Sequence, residues 1–126
     1  MIQKYLGRSH EYGKFDCILI AKEFYKNEFG IDLDIPDYPH SDLWMKHYTP
    51  EYCDNFFRKY GEKVPLTEAK NYALMVFKSK RSNLVVHFGI FIAPISILHV
   101  EEGKLSCVET LSDHTRRELF AVYNLV

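Results

Sequence analysis

The first half of the chain carries apolar residues at helical spacing. After Asp16, apolar side chains recur every three or four positions between Ile20 and Phe29, with lysines and glutamates between them. Asp16 is a favourable N-cap and Gly30 a favourable C-terminal stop. The pattern predicts a helix of about thirteen residues with Cys17 in its first turn.

A second helix is predicted after an irregular connection. Residues 31–47 contain two prolines among aspartates and aromatic residues, which is typical of an irregular segment. Thr49 and Pro50 then make a strong helix start, because Thr caps the helix and Pro fits its first position. We expect this helix to run to about Tyr60, with Gly61 closing it.

The second half of the chain changes to short runs of β-branched and aromatic residues, separated by charged or turn residues. The predicted strands cover residues 73–77, 85–92, 95–100, 105–111 and 120–126. Ser112-Asp113-His114 is predicted as a turn. Helices followed by an antiparallel meander make an α+β domain, and we expect residues 1–126 to form one domain.

Composition and charge narrow the class of protein. Of 126 residues, 47% are hydrophobic and 26% charged, as in an ordinary globular protein. The formal net charge is -1, and the densest basic run, residues 78–81, is typical of a solvated loop, so we expect no nucleic-acid partner. We expect no membrane span, because no stretch approaches ~18 apolar residues. Residues 1–8 lack the apolar run of a signal peptide, so none is expected.

Cysteine is the residue type that suggests chemistry. Cys17, Cys53 and Cys107 are too few and too scattered for a disulfide framework, and no cluster has metal-ligand spacing, so no metal or other cofactor is expected. Cys17 differs from the others because it starts a helix. There the helix dipole and free N–H groups stabilise a thiolate, so we expect a lowered thiol pKa and donors for an oxyanion. We expect the other two thiols to be structural.

A thiol nucleophile needs a base, and the base needs an orienting partner. His87 and His99 lie in consecutive predicted strands that flank a hairpin turn at Ala93-Pro94. An odd-length loop, such as residues 92–94, sets His87 opposite His99 on one face of the sheet. An even-length loop sends them to opposite faces. Only the first arrangement lets His99 hold one ring nitrogen of His87 while the other faces a thiol.

Short motifs occur in a fixed order along the chain. Asp16-Cys17 opens a helix after Tyr12-Gly13. Residues 87–91 read His-Phe-Gly-Ile-Phe, and His99 lies twelve positions after His87. This set resembles the NlpC-type cell-wall peptidases, whose usual motif is His-Val-Gly-Ile-Tyr. The resemblance implies a compact papain-like fold, with the cysteine-bearing helix packed on a C-terminal antiparallel sheet. One departure is Tyr72-Ala73, where the family has Gly-Asp.

The resemblance implies a cysteine peptidase that hydrolyses amide bonds in the peptide stems of peptidoglycan, commonly after a D-glutamyl residue. Cys17 would be the nucleophile, His87 the base and His99 the third member of the triad. Tyr12 and His10 would lie near the substrate or the oxyanion, with His10 in a place where the family often has a tyrosine.

Further similarities concern the NlpC-type domains of phage tails and prophages. They comprise Phe24-Tyr25 and Gly30-Ile31 around the end of the first helix, a Pro-Tyr stretch in residues 36–39, and, near the C-terminus, Arg116-Arg117 and Val122-Tyr123. This resemblance implies a protein made in the host cytoplasm and built into the virion tail. Its partners would be a peptidoglycan peptide and other tail-tip proteins.

Two other functions stay open at this point. The chain could be a structural tail-tip protein that keeps the fold with little or no catalysis, or a transacylase in which an amine replaces water as the acceptor. Trp44, Tyr48 and Tyr52, which surround the irregular connection, either mark a partner surface or cover the core.

Overall fold

The computed structural model describes residues 1–35, 48–82 and 84–126, and it has an α+β architecture. Its helices are α1 (Cys17–Phe29), α2 (Pro50–Phe57) and α3 (Asp113–Arg117). Its strands are β1 (Glu62–Val64), β2 (Leu74–Lys78), β3 (Val85–Ile92), β4 (Ser96–His99), β5 (Cys107–Thr110) and β6 (Leu119–Asn124). The Pro-Tyr similarity in residues 36–39 and the prediction for Trp44 lie outside the described residues. In the described part of the chain, no helix is long and apolar enough to cross a membrane.

Helix α1 begins and ends where the sequence predicts. The Asp16 carboxylate accepts hydrogen bonds from the backbone N–H of Leu19 (3.0 Å) and of Gly13 (2.9 Å), which fixes both the helix start and the turn before it. Gly30 closes the helix in the left-handed region, at φ 67°, where glycine is favoured. Cys17 is therefore the first residue of a 13-residue helix.

Helix α2 is shorter than predicted. The Thr49 hydroxyl caps it by accepting from the backbone N–H of Tyr52, but the helix ends at Phe57 and not at Tyr60. Gly61 serves a different purpose from a helix stop. A Cβ at this position would lie 2.1 Å from the backbone oxygen of Asn124, so the glycine permits the close approach of the end of β6.

The six-stranded antiparallel sheet has the order β1-β6-β2-β3-β4-β5. Strands β2 to β5 form the predicted meander, but β6 returns to pair with β2, so the prediction of a simple meander is wrong for the last strand. The predicted turn at residues 112–114 is instead the start of α3, which Ser112 caps by accepting from the backbone N–H of Thr115. This helix lies in the connection from the sheet edge to β6. Strand β1, which pairs with β6, was not predicted.

The sheet packs apolar side chains on both faces. Helices α1 and α2 cover one face, and their buried residues form a single cluster with Val76, Phe88 and Ile90 of the central strands. Tyr48 belongs to this cluster; it is 2% exposed and packs edge-on against the Phe88 ring, so it covers the core. A smaller cluster on the other face comprises Ala73, Met75, Phe77, Phe91, Ile97, Leu111 and Val122.

Candidate active site

Cys17 lies in a cleft with the two predicted histidines. The thiol belongs to the first residue of α1 and is almost buried, at 4% exposure. It lines a cleft of about 360 Å³ together with His87 from β3 and His99 from β4. Tyr12 and His10 line the same cleft. The structure therefore brings all five predicted site residues to one place, and their roles stay predictions.

The register of the β3–β4 hairpin differs from the predicted one. Ile92 pairs with Ser96, so the three-residue loop is 93–95 and the continued register sets His99 beside Gly89. The prediction that His87 and His99 are directly opposed is wrong, because the loop begins one residue later than expected. The odd loop length still places both histidines on one face. They meet diagonally, with 2.7 Å between Nε2 of His87 and Nδ1 of His99.

Gly89 leaves the room that this arrangement needs. A Cβ at this position would lie 2.2 Å from Cδ1 and 2.5 Å from Cγ1 of Ile97, and 3.5 Å from Cβ of His99. Any larger residue would therefore push apart the side chains of β4 that stand beside it. The glycine of the His-Phe-Gly-Ile-Phe motif thus has a packing role next to the histidine pair.

Burial controls the protonation of the thiol. The pKa of Cys17 lies well above the ordinary value for a thiol, and burial is the largest cause. The negative charge of Asp16 acts in the same direction. Backbone N–H groups of Phe88, Cys17 and Ile18 favour the thiolate but do not outweigh burial. The prediction that the helix start lowers this pKa is therefore wrong for the resting structure.

Burial also keeps the imidazole of His87 neutral. It lowers the pKa of His87 to about 3, and electrostatic interactions with His99 and His10 act in the same direction. Burial therefore favours a neutral Cys17 thiol and a neutral His87 imidazole in this cleft at neutral pH, and not an ion pair. A neutral imidazole is the form that can accept a proton.

The two residues predicted near the oxyanion already contact other groups. The Tyr12 hydroxyl donates to the Glu102 carboxylate at 2.8 Å. The His10 ring packs edge-on against the Tyr12 ring, with 4.6 Å between ring centroids. Both side chains therefore form one wall of the cleft. The donors that act on the thiol are the backbone N–H groups of Phe88, Cys17 and Ile18.

Glu109 is a site residue that sequence reasoning missed. One of its carboxylate oxygens lies 2.6 Å from Nε2 of His99, so both ring nitrogens of His99 have partners. A glutamate in a short, mostly exposed strand gives no sequence signal of its own. The register of β4 and β5 would have revealed it, because His99 pairs with Cys107 and Glu109 follows two residues later on the same face.

The same register brings together three side chains that could ligate a metal. Among the described residues, His99, Cys107 and Glu109 form such a group, with their ligand atoms within 4.8 Å of one another. Spacing along the sequence did not reveal this group, since strand pairing creates it. Because both nitrogens of His99 already have hydrogen-bond partners, a metal ion would have to displace His87 or Glu109.

The cleft carries negative charge. Its described lining residues include no lysine or arginine, and its glutamates are Glu101, Glu102, Glu109 and Glu118. A phosphate backbone would be repelled from such a surface.

The fold is papain-like, with a helix that begins at the cysteine packed on an antiparallel sheet that carries the histidines. Among solved structures, the chain is similar to the crystal structure of a Staphylococcus aureus protein described as similar to a lipoprotein of the NLP/P60 family, with a TM-score of 0.65 and 18% sequence identity. The similarity covers 98% of this chain and 38% of that chain. No protein-family model and no curated protein matches the sequence. At this identity the similarity shows the fold, and the activity has to be argued from the site.

Proposed function

We propose that the protein is a cysteine peptidase that hydrolyses amide bonds in the peptide stems of peptidoglycan. One observation carries the proposal: the thiol at the start of α1 shares a cleft with His87, whose Nε2 is hydrogen-bonded to His99. This is the nucleophile, base and orienting partner that thiol acyl transfer requires. The papain-like fold and the motif resemblance to NlpC-type peptidases support the choice of substrate.

The neutral resting pair implies that proton transfer and attack occur together. Because Nε2 of His87 is occupied, its Nδ1 is the nitrogen that takes the proton as the Cys17 sulfur attacks the amide carbonyl. The backbone N–H groups of Cys17 and Ile18, at the start of α1, would donate to the negative carbonyl oxygen. His87 then gives its proton to the leaving amine, which leaves a thioester. Water, deprotonated by His87, releases the carboxylic acid and restores the thiol.

We also propose that the protein works in the tail of a phage, with other tail-tip proteins as partners. The support is the sequence resemblance around the end of α1 and near the C-terminus. The acidic cleft supports a peptide over a nucleic acid as the ligand.

A structural tail-tip role with little or no catalysis is the second candidate. The observation that favours it is the burial of Cys17, which raises the thiol pKa and leaves 4% of the residue exposed. A buried neutral thiol is what a packing cysteine would show.

Digestion of peptidoglycan separates the two candidates. Purified parent, Cys17→Ala and Cys53→Ala proteins are incubated with sacculi and defined muropeptides, and the products are read by mass spectrometry. Cys53 is a matched control, since it is also buried but does not line the cleft. We expect new amine and carboxylate ends with the parent and with Cys53→Ala, and none with Cys17→Ala. Intact muropeptides in all three reactions would favour the structural role.

A further inference from the structure

We propose that Glu109 is a positioning residue that sets the protons on both histidines so that Nδ1 of His87, the nitrogen not bonded to His99, is bare and can accept the Cys17 proton. The inference deepens the proposed function and rests on it. Glu109 acts through His99, and it is not a group that reacts with the substrate.

The geometry is a continuous hydrogen-bonded row across three strands. Nε2 of His87 lies 2.7 Å from Nδ1 of His99, and Nε2 of His99 lies 2.6 Å from Oε1 of Glu109. The His99 side chain is 6% exposed, whereas that of Glu109 is 52% exposed. The row therefore passes through the buried imidazole of His99 and ends at a carboxylate that is exposed to solvent.

An ionised carboxylate can only accept hydrogen bonds, and when both imidazoles are neutral this property fixes every proton in the row. Because Glu109 accepts, the proton of His99 is on Nε2. Neutral His99 then has a bare Nδ1, which can only accept from Nε2 of His87. Neutral His87 is left with a bare Nδ1, and this is the nitrogen that the mechanism needs.

Without the carboxylate, a second arrangement of protons is equally self-consistent. His99 could carry its proton on Nδ1 and donate it to Nε2 of His87. His87 would then carry its own proton on Nδ1, and that nitrogen could not act as the base. The two arrangements have the same heavy-atom positions, so packing alone does not choose between them. An acceptor-only group at the end of the row, such as the Glu109 carboxylate, selects one of the two arrangements.

The test reads the protons directly. In protein labelled with 15N-histidine, two-bond proton–nitrogen couplings at pH 7 report which ring nitrogen is protonated, and His87→Gln and His99→Gln variants assign the signals. The compared proteins are the parent, Glu109→Ala, Glu109→Gln and Glu118→Ala. Glu118 is the matched control, because it lines the same cleft but contacts His114.

We expect His87 and His99 to be protonated on Nε2 in the parent and in Glu118→Ala. Glu109→Ala should show a mixture with the Nδ1-protonated forms. Glu109→Gln should show a mixture too, because its amide keeps the contact but can donate as well as accept. A residue needed only for packing would leave the glutamine variant like the parent. Unchanged protonation in both Glu109 variants, or Nδ1 protonation of His87 in the parent, would overturn the proposal.

Cleavage assays separate this inference from the proposed function. If the parent cuts muropeptides, Glu109→Ala should cut them more slowly, by on the order of 10-fold or more, since removal of the orienting group costs base catalysis. A tautomer change with no cleavage by the parent would uphold the positioning role and overturn only the peptidase assignment. Full-rate cleavage by a Glu109→Ala protein with mixed tautomers would overturn the positioning role for catalysis.

Discussion

At the scale of single residues, burial makes the thiol and the imidazole of the site neutral. It raises the pKa of Cys17 and lowers that of His87, so both shifts disfavour a thiolate–imidazolium ion pair. In the proposed mechanism, the reactive thiolate forms only as His87 accepts the proton.

Stability should fall in acid because of His87. An unfolded chain binds a proton at this residue below a pKa near ~6.5, whereas the folded protein does so only near a pKa of about 3. The unfolded state therefore binds more protons between these values, and the free energy of unfolding decreases as the pH falls through this window. We expect the drop from pH 7 to pH 4.5, measured by urea unfolding, to be about 2 kcal/mol smaller in His87→Gln than in the parent.

His114→Gln is the control for this measurement. The His114 side chain is 77% exposed and lies on α3, so the same substitution there should leave the pH dependence of the parent in place. An equal acid-induced loss in the parent and in His87→Gln would show that His87 is not held neutral by burial.

Residue identity was predictable at this scale, but protonation was not. The position of Cys17 at a helix start and the polar pattern of the two histidines follow from local sequence. The direction of a pKa shift depends on how much protein surrounds the group, and tertiary packing decides that. The predicted lowering of the Cys17 pKa has the wrong sign because desolvation of the buried thiol outweighs the nearby backbone N–H groups.

At the scale of elements, the β3–β4 hairpin aligns the histidines. The loop of residues 93–95 keeps them on one face, and Gly89 provides the space beside His99. We expect Gly89→Ala to lower the free energy of unfolding by about 1–3 kcal/mol, because the new methyl group overlaps Ile97. Urea unfolding measures this loss.

A double-mutant cycle tests the stated cause. Ile97→Ala removes the two atoms that the Gly89→Ala methyl group would meet first. The free energy of unfolding of the double variant should therefore fall by less than the sum of the decreases in the two single variants. Additive losses would mean that Gly89 is needed for another reason, such as its backbone conformation.

Tyr72, which lies just before strand β2, is a position where the motif comparison did not predict the structural outcome. It stands where the resembled family has glycine, and it adopts φ 71°, the left-handed region that favours glycine. Its backbone N–H donates to the Phe91 oxygen at 2.7 Å, and its ring packs against Phe24 and Phe29. The turn therefore keeps the backbone expected of glycine, with a side chain that contributes to the core.

At the scale of the whole molecule, local patterns predicted the α+β class but not the full topology. The helix-then-strand order and the bounds of β3 follow from periodicity and turn residues. The return of β6 to the side of β2 is a long-range pairing that no local pattern encodes. Strand β1 was missed because its three residues show no alternation of buried and exposed positions. Glu109 was missed because its role depends on the pairing of β4 with β5.

The reactivity of the three cysteines tests the central claim, that Cys17 is a nucleophile with His87 as its base. Parent and His87→Gln proteins are treated with iodoacetamide at neutral pH, and mass spectrometry follows the cysteine peptides over time. We expect Cys17 to react first in the parent, ahead of the more exposed Cys107, and at least about 10-fold more slowly in His87→Gln. An inert Cys17, earlier labelling of Cys53 or Cys107, or an equal rate in both proteins would contradict the account.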